Sequence, residues 1–190
     1  KINGMSWKCK LLNLPCFVPD QKVLAIVDAQ KDFIDGSMGV GMEKWKKAKA
    51  AIIDLMKKEK YDSIVYTKDW HPTNHCSFKD QGGMWPSHCV AGQKGAEIDA
   101  ELLAVNIPSV TLNKGCNPNV EEYGIDVLPN VDNVKELHLV GLCFDYCVQS
   151  CAKETAKTHP NTKIVVKKAG TVAIDENAKI DWEGLDVKVE

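Results

Sequence analysis

Histidine and aspartate side chains are concentrated in one stretch of the chain, between Asp69 and His88. Asp69 and His71 are separated by a single residue, and His75 and His88 follow, so this stretch holds three of the five histidines. On extended backbone, side chains two positions apart lie on the same side, so Asp69 and His71 could share one ion. A third, more distant ligand would leave positions for water or substrate, as catalytic metal sites require. Mixed imidazole and carboxylate donors suit Zn²⁺, Fe²⁺ or Mn²⁺ without choosing among them.

Two other interpretations of this stretch have to be weighed. Asp69 and Asn74 could simply form turns beside Pro72, with the histidines in solvent. A closed structural zinc site would use Cys76 and Cys89, but such sites favour closely spaced cysteine pairs. Each of these two cysteines instead directly follows a histidine, and adjacent side chains point apart on extended backbone. The density of histidines favours the open site.

A second group of residues could supply a nucleophile. The run Gly141–Cys147 (Gly-Leu-Cys-Phe-Asp-Tyr-Cys) stands where a strand pattern changes to a helix pattern. The pKa of a thiol at a helix N-terminus is lowered by the helix dipole, and the backbone N–H groups there can stabilise an oxyanion. Asp28 and Lys114 could act as proton carrier and cation beside Cys147. The alternative is that Cys147 is a small core residue, as free cysteines often are.

The composition is that of an ordinary globular protein. With 44% hydrophobic and 26% charged residues, the 190-residue chain is not disordered, fibrous or coiled-coil, and we expect one domain over residues 1–190. The net charge of −2 gives no reason to expect nucleic acid or an anionic membrane as a partner. No apolar run approaches the length of a membrane span, and Lys1–Phe17 has no continuous apolar core of the signal-peptide type.

Eight cysteines are many for such a chain. Disulfide scaffolds are typical of smaller secreted domains, so we expect free thiols in a reducing compartment, the cytoplasm. Four of the cysteines have a place in the two patterns above, next to histidines or within the run Gly141–Cys147. The remaining four have no such place: Cys9, Cys16, Cys116 and Cys151.

The elements that must position these residues are strands alternating with helices. Apolar runs of the buried-strand type are separated by patterns of helical period, which predicts parallel strands joined by right-handed crossovers. We therefore expect an α/β fold, a three-layer sandwich with a mostly parallel central sheet. The predicted strands are Lys22–Val27, Ser63–Thr67, Pro108–Leu112, Leu137–Val140, Lys163–Lys167 and Leu185–Val189, and the predicted helices cover residues 43–60 and 147–157.

The candidate chemical groups follow four different predicted strands. Asp28, Asp69, Lys114 and the Cys143–Cys147 stretch each come just after the carboxyl end of a strand. In an open parallel sheet these ends share one edge, where ligands bind. Packing alone does not explain why four strands deliver such residues to one edge.

Taken together, four motifs resemble the nicotinamidase branch of the isochorismatase-like cysteine hydrolases. Val-Asp-Ala-Gln-Lys-Asp-Phe at residues 27–33 is similar to the opening motif of that family, and the histidine-rich stretch resembles its metal segment. Lys114-Gly115 and the run Gly141–Cys147 match its remaining two motifs, in the same order along the chain. The resemblance extends from about Lys22 to Val172. It implies the isochorismatase-like hydrolase fold.

The resemblance also implies a role for each matching residue. It makes Cys147 the nucleophile, Asp28 the proton carrier and Lys114 the catalytic lysine, with a cis peptide at Leu142–Cys143. The other implied assignments are the oxyanion-hole amides of Cys143 and Cys147, the metal ligands Asp69, His71 and His88 with His75 as a candidate fourth, and the aromatic substrate walls Phe33, Trp85 and Tyr123.

The implied activity is metal-dependent hydrolysis of nicotinamide to nicotinate and ammonia through a cysteine thioester, in NAD salvage. We expect one divalent ion, zinc before iron or manganese, and a small-molecule substrate, with no nucleic acid and no membrane as partner; the sequence leaves open whether the chain forms a homo-oligomer. Two alternatives are another amidase of the family, acting on a carbamoyl or ureido substrate, and a non-catalytic metal-binding or redox module.

The sequence departs from the family pattern in two places. Cys143 and Phe144 stand where the family has Ala and Thr, which changes the expected wall of the pocket. Residues 124–135 are too few for the loop and helix that relatives have there, so this connection is either trimmed or lacks a segment. The residues from Lys114 to Glu136 still suffice for a crossover between parallel strands.

Overall fold

One six-stranded sheet forms the centre of the structure, a computed structural model that describes residues 20–190. Outside these residues lie Cys9, Cys16 and the stretch Lys1–Phe17, for which the sequence predicts no signal peptide. The strands are β1 Gln21–Val27, β2 Ser63–Asp69, β3 Ser109–Lys114, β4 Val134–Leu142, β5 Lys163–Val172 and β6 Val187–Val189. All pairs are parallel, in the order β3-β2-β1-β4-β5-β6.

Helices cover both faces of this sheet, which explains why its central strands read as continuous apolar runs. The helices are α1 Lys31–Ile34, α2 Met42–Lys58, α3 Ala100–Leu103 and α4 Gln149–Thr158. Trp45 and Ile52 of α2 pack in the core of one face with Leu24 of β1. On the other face, Ala152 of α4 packs in a core with Val23. The predicted three-layer α/β sandwich is therefore confirmed.

Strand ends differ most from the predicted ones at β4 and β5. β4 begins before its apolar run because Val134 and Glu136 pair with β1. β5 continues past polar residues to Val172, after an irregularity in β4 between Leu139 and Gly141. The predicted helix over residues 147–157 is also extended at its start, since a π-helical turn over Phe144–Val148 leads into α4.

The connection between β3 and β4 contains no helix in this structure. Residues 115–133 instead run as irregular chain that supplies the fully buried Val127 and Leu128 to the core beside α4. The Val127 N–H donates to the Thr155 hydroxyl of α4 over 3.0 Å. Irregular chain thus covers this part of the sheet, in a connection too short for the helix of the family pattern.

No helix formed by residues 20–190 combines the length and apolar character needed to cross a membrane. The edge formed by the carboxyl ends of the strands has a different character from the apolar core. Buried charged residues lie there, at or directly after the last residues of β1, β2 and β3.

Candidate active site

A buried lysine is the centre of this edge. The Nζ atom of Lys114 lies 2.8 Å from Oδ2 of Asp28, 2.5 Å from Oδ1 of Asp69 and 3.3 Å from Sγ of Cys147. Asp28 follows β1, Asp69 and Lys114 end β2 and β3, and Cys147 lies in the turn after β4. The structure thus brings together four residues that the sequence places after four different strands.

Burial and charge act in opposite directions on these groups. Burial raises the pKa of Asp28, although Lys114 opposes the shift. Burial also disfavours the charges of Lys114 and Asp69. The carboxylates of Asp28 and Asp69 outweigh it at Lys114 and raise that pKa, and Lys114 and His71 outweigh it at Asp69 and lower that pKa. The expected lowering of the Cys147 pKa is not found: burial raises it well above its ordinary range, and Lys114 only partly compensates. The thiol therefore needs a base to ionise.

The position of Asp28 is set by its neighbours on β2 and β4. Its backbone has a φ of +46°, in the left-handed region, where the chain leaves β1. Thr67 donates its hydroxyl to Oδ1 of Asp28 over 2.7 Å. Gly141 of β4 comes so close to β1 that an added Cβ would lie 2.0 Å from the Val27 carbonyl oxygen. Glycine in the run Gly141–Cys147 is therefore needed for the close approach of the two strands beside Asp28.

Cys147 is held by a tight turn between β4 and α4. The peptide bond Leu142–Cys143 is cis, as the family resemblance implies. The N–H groups of Tyr146 and Val148 both donate to the Cys143 carbonyl over 3.1 Å, which fixes the turn. Cys147 is buried in this turn and its side chain lines a cavity.

Three donor atoms converge beside Lys114 in the way a metal ion requires. Nε2 of His71 and Nε2 of His88 lie 3.2 and 3.9 Å from Oδ2 of Asp69. Donor atoms about 3.3 Å apart are expected around a tetrahedral zinc ion with bonds of about 2.0–2.1 Å. The ligating atoms of all three residues lie within 4.8 Å of one another.

Hydrogen bonds fix which ring nitrogen of His71 and of His88 faces the Asp69 carboxylate. Nδ1 of His71 and Nδ1 of His88 lie 2.8 Å from the carbonyl oxygens of Gly115 and Pro86. A carbonyl only accepts, so each Nδ1 carries hydrogen and leaves Nε2 toward Asp69. The unprotonated Nε2 of His71 would lie 3.2 Å from a carboxylate oxygen and be repelled by it unless a proton or a cation stood between them. Burial acts to lower the pKa of His71, but Asp69 accordingly raises it. The donor set fits a divalent ion.

His75 lies beside this group but not within it. Its ring stacks on His71, with the centroids 4.1 Å apart. Its Nε2 lies 3.0 Å from the Val120 carbonyl and its Nδ1 2.7 Å from the Ser77 hydroxyl, so both nitrogens have other partners. The geometry gives no support to His75 as a fourth ligand. Cys76 and Cys89 are likewise outside the donor group.

A small cavity of about 30 Å³ opens onto Cys147, Asp69 and His88. The predicted aromatic residues Phe33, Trp85 and Tyr123 all line it, and the Trp85 indole N–H donates to the Tyr123 hydroxyl over 2.9 Å. Sequence reasoning missed three further residues of the wall, which are Met38, Tyr146 and Ile174. Tyr146 adjoins Cys147 and packs edge-on against Trp85, so its position in the run Gly141–Cys147 was a usable signal.

Comparison with known proteins agrees with this arrangement. Residues 22–178 match the model of the isochorismatase domain. The chain belongs to the isochorismatase family. Among its relatives, the nicotinamidase/pyrazinamidase of Mycobacterium tuberculosis is 30% identical over 166 residues, which is 81% of this chain and 89% of that protein.

Two solved structures of similar proteins show the same fold. The pyrazinamidase of Pyrococcus horikoshii in complex with zinc has a TM-score of 0.70 and 28% identity, covering 90% of this chain and 98% of that one. PnC1 from L. infantum in complex with nicotinate has a TM-score of 0.70 and 28% identity, covering 83% of each chain.

The two residues that replace the Ala and Thr of the isochorismatase family pattern, Cys143 and Phe144, lie at different places in this structure. Cys143 is one of the residues that line the same cavity as Cys147, so this departure falls on the pocket wall. Phe144 instead packs into the core of the face covered by α4, with the Lys168 ammonium 5.5 Å from its ring centroid.

Proposed function

We propose that this protein is a metal-dependent amidohydrolase that converts nicotinamide to nicotinate and ammonia through a thioester on Cys147. The observation that carries the proposal is the position of Lys114, whose ammonium contacts Asp28, Asp69 and Cys147. The lysine joins a thiol and a base to a group of metal donors. That combination supports thiol chemistry on a substrate held at a metal better than it supports a purely structural ion pair.

Asp28 is the proton carrier. Its carboxylate and the thiol of Cys147 lie within 4.8 Å of each other, and burial raises the pKa of Asp28 toward that of a useful base. Asp28 takes the proton of the thiol, and Lys114 stabilises the resulting thiolate because its own pKa is raised and it stays charged. Because burial raises the pKa of Cys147, the thiol stays protonated until Asp28 takes its proton.

The thiolate then attacks the carboxamide carbon, and the backbone N–H groups of Cys143 and Cys147 bind the oxyanion that forms. Donors of this kind contribute about 3–4 kcal/mol each to lowering the barrier. Asp28 passes its proton to the nitrogen, the C–N bond breaks and ammonia leaves. A water molecule gives a proton to Asp28 and attacks the thioester. The C–S bond breaks, Asp28 returns the proton to the sulfur of Cys147, and the acid is released.

Asp69, His71 and His88 would hold one divalent ion. The similar protein from Pyrococcus horikoshii binds zinc, so we propose zinc here. When bound, the ion supplies a Lewis acid that can orient the pyridine nitrogen of the substrate and activate water. The protein's own part is to keep both Nε2 atoms aimed at Asp69, through the carbonyls of Gly115 and Pro86.

The wall residues between this metal group and Cys147 have the chemistry that a small planar aromatic substrate would contact. Phe33, Trp85 and Tyr123 offer aromatic faces and edges to a ring of similar size. The similar L. infantum protein binds nicotinate, which is the product expected from nicotinamide. A reducing compartment such as the cytoplasm would keep the Cys147 thiol free. We assign the reaction to NAD salvage, in which its product nicotinate would be reused.

The test is an ammonia-release assay with nicotinamide, run with and without a chelator and with metal analysis of the same sample. We expect turnover that the chelator removes and that added zinc restores. Cys147→Ala should abolish ammonia release while its metal content stays that of the wild type; retained turnover would overturn the nucleophile. Release from a carbamoyl substrate that is insensitive to chelator would identify a different amidase, and metal without any release would identify a binding module.

A further inference from the structure

Gln30 is a buried polar residue for which the chemistry above gives no role. It lies two residues beyond Asp28, in the loop that follows β1, and its side chain is fully buried. A buried primary amide has to find partners for two N–H groups and one oxygen. Its partners here identify what it does.

Two of the three hydrogen bonds of the Gln30 amide are made with the backbone of one metal-donor residue. The Asp69 N–H donates to Oε1 of Gln30 over 2.8 Å, and Nε2 of Gln30 donates to the Asp69 carbonyl over 2.8 Å. The same Nε2 also donates to the Ala96 carbonyl over 3.0 Å. The amide side chain therefore pairs with Asp69 as the backbone of a neighbouring strand would.

Such a partner is needed because the sheet is incomplete at this point. β1 pairs with β2 only up to Val27 and Thr67, whereas β2 continues to Asp69. In a parallel ladder, the N–H and C=O of one residue face the same neighbouring strand. For Asp69 that neighbour would be β1, which has already ended. Gln30 fills the missing position, so the backbone that carries the Asp69 carboxylate is fixed from both sides.

Helix α1, which directly follows Gln30, also supports His88. Oδ2 of Asp32 accepts a hydrogen bond of 2.8 Å from the N–H of Cys89, the residue next to His88. The ring of Phe33 lies against the His88 ring, with the centroids 5.5 Å apart. One segment, Gln30–Phe33, thus contacts the backbone or ring of two of the three donor residues.

We infer that Gln30 and Asp32 are positioning residues for the metal centre, setting its affinity by fixing Asp69 and the His88 loop. The inference deepens the proposed function and rests on its metal site, but not on the identity of the substrate. Partners that orient metal ligands typically change metal affinity by about 10- to 100-fold when they are removed. The effect should fall on the metal and not only on folding.

The experiment measures zinc affinity directly, by competition with a chromophoric chelator on metal-free protein, together with thermal unfolding. We expect Gln30→Met to bind zinc about 10- to 100-fold more weakly than the wild type. Asp32→Ala should weaken binding in the same direction, and Asp32→Asn should restore it, because an amide oxygen can still accept from Cys89. Tyr61→Phe is the control: it removes a buried hydroxyl at the opposite end of the sheet and should leave zinc affinity unchanged even where it lowers stability.

Each result separates this inference from the proposed reaction. Zinc affinities of Gln30→Met and Asp32→Ala within about twofold of the wild type would overturn the positioning role, and so would an equal loss in Tyr61→Phe. If Gln30→Met does not fold, the Asp32 pair decides by the same criterion. Weakened zinc binding in the two variants, together with a wild type that releases no ammonia from nicotinamide, would support the inference while contradicting the proposed substrate. A wild type that binds no zinc would overturn both.

Discussion

The two ends of the central sheet both contain buried ionisable groups, but they use them differently. At the end away from Cys147, the Tyr61 hydroxyl lies 2.6 Å from Nδ1 of His138, and Nε2 of His138 lies 2.6 Å from a carboxylate oxygen of Glu136. Both nitrogens of this ring have a side-chain partner. At the catalytic end, Nε2 of His71 and of His88 point toward a shared carboxylate.

The difference shows that burial of a charged or titratable group does not by itself identify a site. His138 is as buried as His71, and burial lowers its pKa as it does that of His88. What distinguishes the catalytic end is convergence: a thiol and two carboxylates surround one ammonium, and two imidazoles point at one of these carboxylates beside a cavity. A stabilising cluster completes its own hydrogen bonds, whereas a site keeps groups that a ligand or metal completes.

Replacing the lysine at each end would sharpen this comparison most. In Lys114→Met, Asp28 and Asp69 lose the cation between them, and breaking a buried ion pair costs about 3–5 kcal/mol of unfolding free energy. Lys22, at the other end, pairs with Glu59 while its side chain keeps 27% exposure, so Lys22→Met should cost less than about 1 kcal/mol. Urea unfolding of both variants measures the difference.

Activity should separate the same two variants. We expect Lys114→Met to lose at least about 100-fold in ammonia release, since an electrostatic stabiliser of the reacting groups is gone. Lys22→Met should release ammonia at the wild-type rate. Equal losses of stability in the two variants would contradict the view that Lys114 is the centre of one buried charge network.

How far the sequence predicts this site depends on the kind of residue. Asp28, Asp69 and Lys114 could be placed because each follows a recognisable apolar run, and the ends of parallel strands share one edge. Met38 and Ile174 were missed as wall residues because they lie outside every motif, and local spacing does not show which residues line a cavity. The role of Gln30 depends on β2 extending past the end of β1, a register difference that no local pattern reveals.

The fold shows the same division. The six strands and α2 follow from period and apolarity, and the structure confirms them. The path of residues 115–133 could not be predicted, because irregular chain that buries Val127 and Leu128 has no period to detect. The raised pKa of Cys147 was also missed, since the helix dipole is a local effect whereas burial depends on the whole fold.

Glycine substitutions offer a more local test of the catalytic end. Gly115 has a φ of +63°, and an added Cβ would lie 2.4 Å from Cε1 of His71. Gly115→Ala should displace that ring and weaken zinc binding by about 10- to 100-fold. Gly184 is the matched control, because its φ is +75° but an added Cβ would contact nothing within 4 Å.

Both alanine variants carry the penalty of a left-handed L-residue, about 1–2 kcal/mol, so Gly184→Ala shows how much stability that penalty alone removes. Only Gly115→Ala should lose zinc affinity in the chelator competition. Unchanged affinity in that variant would mean that the His71 ring is not held at its position by contact with Gly115.

The smallest expected effect concerns pH and the opposite end of the sheet. Burial lowers the pKa of His138, with Lys22 and Lys167 acting in the same direction and Glu136 opposing them. In the unfolded chain the pKa of histidine is about 6.5. As the pH falls through that value the unfolded chain takes up a proton that the folded protein does not, so His138 reduces stability at acidic pH and has no such effect above it.

His138→Gln removes this titration and leaves the metal-site histidines in place. Its unfolding free energy should therefore fall less than that of the wild type between pH 7.5 and 5.5; parallel curves would show that His138 binds its proton equally well in both states, and that the hydrogen bonds to Tyr61 and Glu136 offset its burial.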